Sequence, residues 1–348
     1  MMPIAALPRW APGWLPRMFA ALLGLMILSA CDETPPVIAG DPPQPISIAV
    51  MPHSFTGYSL FVAEHEGFIR QQGLDATFHS FTSGKQTLAA LAAGQVDFAV
   101  SSETPFIRSV MAGDDVVALA VTIHARRHLA VVARRDRGIE RASDLAGKRI
   151  GVTLGSNGEY FLRVLLTRER VATDGVVMVD TPPGRMLESL QSGELDAIAT
   201  WNPQMQRAQT VLADNAVAFD LDDLYAPYFL IMSRRQLIVE RPDSVLHLLS
   251  ALQRAARFIQ QNPAKSRAIV SSHLKTDLMT LAGISAFYDF ELSLNQAMLP
   301  VLEHQAAWIM HRDSSFDAVE VDFMKHIESR PLEQIAPDSV SIIKPSLR

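Results

Sequence analysis

A ten-residue frame occurs twice in this chain. Residues 88–105 read LAALAAGQVDFAVSSETP, and residues 187–204 read LESLQSGELDAIATWNPQ. Leu88, Leu91, Gly94 and Asp97 return 99 positions later as Leu187, Leu190, Gly193 and Asp196. Each copy predicts a helix, a glycine stop, a short buried strand and a polar loop at the strand's carboxyl end. A period near 100 residues is too long for a solenoid unit and fits a domain. Two similar lobes are therefore expected, with a cleft between them suited to a small ligand.

The repeat extends upstream. ISIAV at 46–50 and KRIGVT at 148–153 each lead through a polar loop into a helix opening with glycine and tyrosine. Alternating strands and helices predict an α/β protein with mostly parallel sheets, whose ligand sits beyond the strand carboxyl ends. Lobe one starts at residue 46 with a helix over 58–72 stopped by Gly73. Strands at 76–81, 96–100 and 116–121 follow, with helices over 85–93, capped by Ser83, and 105–111. Lobe one's first part covers 46–129, and lobe two covers 130–220, with strands near 149–153, 176–180, 197–200 and 216–219. FLIM at 229–232 returns the chain to lobe one. Crossings near 126–130 and 221–227 form a two-strand hinge. Carboxy-terminal helices within 221–330 then cover lobe one; the last is expected to be interrupted at Pro300. Residues 331–348 read as a tail.

The chain has 348 residues, a net charge of −6 and no basic block, which argues against nucleic acid as a partner. Its single cysteine, Cys31, excludes an internal disulfide and a cysteine-based metal site. Arg9 and Arg17 precede a 13-residue apolar stretch at 18–30, short for a membrane span. The stretch ends in Leu-Ser-Ala-Cys, which resembles a bacterial lipobox. That resemblance implies a signal peptide over 1–30 and lipidation of Cys31, hence a protein anchored to a membrane rather than embedded in it. Asp32 resembles an inner-membrane retention signal. Five prolines between residues 35 and 45 make 31–45 a stiff tether.

LFVAEHEG at 60–67, FTSG at 81–84, DLAGKRIGVTLG at 144–155 and Trp201-Asn202-Pro203 carry a further resemblance. They resemble solute-binding proteins of ABC importers, in the nitrate, sulfonate and taurine group and its pyrimidine-precursor-binding relatives. The resemblance implies a type II periplasmic binding protein fold, no cofactor, and delivery of a small solute to a permease and its ATPase. A sensing role for a membrane receptor is the runner-up. An enzyme of the same fold, in pyrimidine-precursor or menaquinone chemistry, is disfavoured, because the one cysteine belongs to the lipobox.

The candidate ligand contacts lie in the loops after the strands. Ser101, Ser102 and Glu103 end the repeated strand of lobe one; Thr200, Trp201 and Asn202 end its counterpart. Ser156 and Asn157 open a helix whose amino terminus suits an anion or a carbonyl oxygen, while Ser156 and Glu159 also fit a capping box. Ser83, Phe55 and Tyr58 complete the set, with Phe55 readable as a cleft wall or a buried plug. No cation sits in these loops beyond Lys85 and Arg185, and Glu103 and Glu159 bring negative charge. Charge matching therefore favours a zwitterion, an amine-bearing sulfonate or a neutral heterocycle. His124 and His128 lack a third ligand, so no metal site is expected.

Overall fold

The structure, a computed structural model, describes residues 42–220, 225–316 and 320–343. The signal segment, Cys31, the tether up to residue 41 and hinge residues 221–224 lie outside these. Among the described residues, no helix is long and apolar enough to cross a membrane.

Lobe one opens with β1 (Gln44–Val50), α1 (Tyr58–His65), α2 (Phe68–Gln71), β2 (Leu74–Ser80) and α3 (Gly84–Ala92). It continues with β3 (Phe98–Ser102), α4 (Glu103–Met111) and β4 (Val116–Ala125). Lobe two holds β5 (Leu129–Arg134), β6 (Arg149–Val152), α5 (Asn157–Arg168), β7 (Val177–Asp180), α6 (Pro183–Ser192), β8 (Ala197–Trp201), α7 (Gln204–Leu212) and β9 (Ala216–Phe219). The chain returns through β10 (Tyr228–Arg234) to α8 (Arg235–Glu240), α9 (Pro242–Gln261), α10 (Pro263–Leu274), α11 (Leu278–Ser285), β11 (Tyr288–Asp289), α12 (Met298–Met310) and α13 (Arg330–Ile335).

The two sheets run β11-β4-β10-β3-β1-β2 and β7-β6-β8-β5-β9. With β11 set aside, they share one order: β2, β1, β3, β10, β4 match β7, β6, β8, β5, β9. In both, three parallel strands are followed by an antiparallel one, β10 or β5, that has just crossed from the other lobe. Strand β5 feeds two cores by alternation. Leu129, Val131 and Ala133 join one face with α5, and Ala130 and Val132 join the other with Met186, Leu190 and Met205. Lobe one has a single large core that includes Val245, Leu248, Leu249 and Leu252 of α9.

The repeated frame has a specific job. The Oδ2 of Asp97 accepts from the Ser47 backbone N–H at 2.8 Å, and that of Asp196 accepts from the Arg149 N–H at 2.9 Å. Each aspartate thus ties the start of its repeated strand to the backbone of the parallel strand beside it. Gly94 and Gly193 end their helices at φ of +71° and +80°, where a side chain would be strained.

Four expectations change. The helix over 58–72 is broken at Gly67, whose φ is +70°. Pro300 does not interrupt α12: it lies in the first turn, where a missing N–H leaves no helical bond unmade. Residues past 330 are not simply a tail, since Leu332 of α13 is buried in lobe one and Leu294 pairs with Val340. The tether also ends earlier than expected, because Pro45 already lies in β1.

Candidate functional site

The loops after β1, β3, β6 and β8 meet between the lobes, together with the amino termini of α3, α4 and α5. Lobe one contributes Met51, Ser54, Thr56, Ser83, Gly84, Lys85, Ser102 and Pro105. Lobe two contributes Thr153, Leu154, Gly155, Ser156, Asn157 and Trp201, and His128 and Phe229 line the same space. The cavity is about 20 Å³, close to the room one water needs. The lobes therefore stand close together in this structure, and a solute enters as they part.

Helix caps shape this surface. The Oγ of Ser83 accepts from the Gln86 N–H at 3.4 Å, and that of Ser156 accepts from the Gly158 N–H at 3.2 Å. Ser54 caps its short turn in the same way, accepting from the Thr56 N–H. The approach of α3 to β3 depends on Gly84: a Cβ there would stand 2.1 Å from the Ser101 Oγ and 3.0 Å from Pro105. Glu159 acts as a loop latch, one residue off the expected capping box. Its Oε2 accepts from the Gly155 N–H at 2.8 Å, and its Oε1 accepts from Arg163 at 3.0 Å.

Of the expected contacts, Ser83, Ser102, Ser156, Asn157 and Trp201 face the cleft. The others do not line it. Phe55 is a buried plug, stacked 4.2 Å from Tyr288. Tyr58 is buried behind it, sharing a 3.2 Å hydrogen bond with Ser266. Ser101 and Thr200 are fully buried, and neither hydroxyl has a hydrogen-bond partner among the described residues. Asn202 is buried and donates to the Arg127 carbonyl of the first crossing at 3.1 Å. The two loop triplets thus behave alike. Only the middle residue of each, Ser102 or Trp201, reaches the cleft, because successive side chains at a strand end point to opposite faces.

Glu103 serves the hinge instead of the ligand. Its carboxylate accepts from the Tyr225 hydroxyl, from Gln305 at 2.8 Å and from the Tyr228 N–H at 3.1 Å. Burial pushes its carboxyl above the ordinary glutamate value, against the pull of these donors. Glu103 and Glu159 are both engaged and neither lines the inner cavity, so the two carboxylates that favoured a zwitterion or neutral solute do not face that space. Among the described residues no carboxylate lines the inner cavity, whereas Lys85 does, and Lys85 has no ion-pair partner among them.

His128, a lining residue the sequence reading did not select, is fully buried, and its Nδ1 lies 2.6 Å from the Tyr288 hydroxyl. Burial lowers its pKa to about 3, so the ring is neutral at ordinary pH. Its position in a crossing next to a strand start was the available signal. Lys85 and Thr56 were also legible as neighbours of Ser83 and Phe55. Thr56 is buried with its hydroxyl unpartnered among the described residues.

Two lobes of identical strand order, two crossings and a closed polar cleft define a solute-binding protein fold. A family model described as "NMT1/THI5 like" matches residues 54–266, and the chain belongs to that family. A binding protein of Brucella abortus is 26% identical over 226 residues, covering 63% of this chain and 68% of that protein. A Bacillus subtilis protein with the provisional name of an aliphatic sulfonates-binding protein is 25% identical over 205 residues, 56% of this chain and 60% of its own. Among solved structures, the alkanesulfonate-binding protein of Xanthomonas axonopodis pv. citri bound to MOPS superposes with a TM-score of 0.71. It is 17% identical and covers 83% of this chain and 100% of its own; this likeness carries the periplasmic binding protein fold.

Proposed function

We propose that this protein is the extracytoplasmic solute-binding component of an ABC importer, taking an organic anion with a sulfonate-like head. The observation that carries the reading is the composition of the inner cleft. Hydroxyls of Ser83 and Ser102, the amino termini of three helices and Lys85 converge there without a free carboxylate, while the Ser156 hydroxyl donates to the Thr153 carbonyl at 2.6 Å and holds the loop at the start of α5. Helix amino termini and hydroxyl donors favour an anion. Trp201 and Phe229 supply apolar surface for the carbon part of the solute. The names of the relatives support the same class. The sequence around Cys31 supports a lipid anchor holding the protein beside its permease.

Closure follows from differential binding: a solute bridging both lobes favours the closed form by its extra contacts there. The test is calorimetry on the purified protein with taurine, ethanesulfonate, nitrate, bicarbonate and a neutral pyrimidine. Saturable binding of a sulfonate with none for nitrate is the expected result. Binding of the pyrimidine alone, or of nitrate alone, overturns the reading. Mass spectrometry of protein from cells given labelled palmitate tests the anchor, and Cys31→Ser abolishes the added mass if the anchor is real.

A further inference from the structure

A second cavity of about 560 Å³ adjoins the inner cleft. Lys85, Pro105, Leu154 and Gly155 line both, which places the two side by side between the lobes. The outer chamber is unlike the inner one in charge. Lys85, Arg108, Arg163 and Arg312 line it, against Asp114, Glu159 and Asp313. Two of these cations are paired: Arg108 with Asp313 at 3.1 Å and Arg163 with Glu159 at 3.0 Å. Asp114 accepts from the Ser109 hydroxyl at 2.6 Å. Among the described residues Lys85 has no ion pair, and Arg312 donates only to the Thr173 hydroxyl, at 3.3 Å. Desolvation, and after it nearby Arg163, disfavour the charged form of Arg312, against the pull of Glu159. The Nε of Arg108 is buried and has no acceptor among the described residues. Trp308 and Phe316 add apolar wall, and the volume falls within the range of small-molecule sites.

We propose that this outer chamber receives the body of an elongated solute whose far end carries a second negative group, held among Lys85, Arg108 and Arg312. This rests on the reading that the inner cleft takes a sulfonate-like head. A second negative group would bring an acceptor beside Arg108, whose Nε has none, and a partner for Arg312, which has no ion pair among the described residues, whereas a short monoanion leaves both as they are.

Calorimetry at 0.15 M salt with benzenesulfonate, benzene-1,3-disulfonate and taurine tests it. The disulfonate should bind at least tenfold more tightly than benzenesulfonate. Arg312→Gln should weaken the disulfonate at least fivefold more than it weakens benzenesulfonate. Arg312 is exposed, and circular dichroism confirms that the variant folds. Equal affinity for the two ligands, or an equal effect of Arg312→Gln on both, overturns the second chamber while leaving the sulfonate reading intact. If none of the three binds, the sulfonate reading fails and the chamber proposal fails with it.

Discussion

At Glu103 a buried carboxylate faces three donors, two of them from the second crossing between the lobes. Its pKa is higher folded than unfolded, because burial outweighs the hydrogen bonds. The stability it contributes is therefore fully present below the unfolded value and is lost as pH rises through the raised folded value. Urea unfolding from pH 4 to 8 should show that loss in the natural protein and a flatter profile in Glu103→Gln. Glu103→Ala leaves the Tyr225 hydroxyl, the Tyr228 N–H and the Gln305 amide without their acceptor. At roughly 1–3 kcal/mol per buried orphan, it should cost about 3 kcal/mol or more. The repeated aspartates make a matched pair of tests. Asp97→Ala and Asp196→Ala each remove the acceptor of a strand N–H, the former that of the Ser47 hydroxyl as well, and each should cost about 1–3 kcal/mol in the same assay. Their ion pairs, Asp97 with Arg241 and Asp196 with Arg137, add little at such partly exposed positions.

Helix α5 joins stability to recognition, because its cap and its cleft face are the same residue. Ser156→Ala removes the acceptor for Gly158 and should cost about 1 kcal/mol in urea unfolding. It should also weaken sulfonate binding in calorimetry, while Ser156→Thr, which keeps a capping hydroxyl, restores the stability. At this scale the sequence was most legible. Gly94 and Gly193 stop their helices where the glycine pattern indicates, and the strand after each is buried throughout. The reading of one helix over 58–72 failed at Gly67. Apolar spacing on both sides stayed helical, and only a left-handed residue between them marks the break. The site was half legible for a physical reason. Spacing locates the carboxyl end of a strand, which brought Ser102 and Trp201 to notice. It does not locate the face, so Ser101, Thr200, Glu103 and Asn202 came with them. Of the two readings open for Phe55, the structure takes the plug, with Tyr58 buried behind it, through stacking on Tyr288 more than 200 positions away. No local pattern encodes that contact.

Across the whole molecule, closure is held by contacts between lobe two and the carboxy-terminal helices of lobe one, on elements far apart in sequence. Arg207 of α7 donates to the Leu274 carbonyl at 2.7 Å and the Lys275 carbonyl at 2.6 Å, capping the carboxyl end of α10. The charge suits that end of a helix dipole. The Tyr160 hydroxyl of α5 meets His304 of α12 at 3.0 Å. Neither Arg207 nor Tyr160 lines the inner cleft, so their removal should change the balance between open and closed forms and leave the ligand contacts in place. A solute that binds mainly the closed form loses affinity in proportion to the closed fraction. Arg207→Ala should therefore raise the sulfonate Kd by about three- to tenfold, which corresponds to about 0.7–1.4 kcal/mol of lost closure. In small-angle scattering, the unliganded variant should have a larger radius of gyration than the natural protein, and saturating sulfonate should remove the difference. Tyr160→Phe should move both readouts the same way by less. An unchanged radius with a weakened Kd would place Arg207 in direct recognition and refute its role as a clasp.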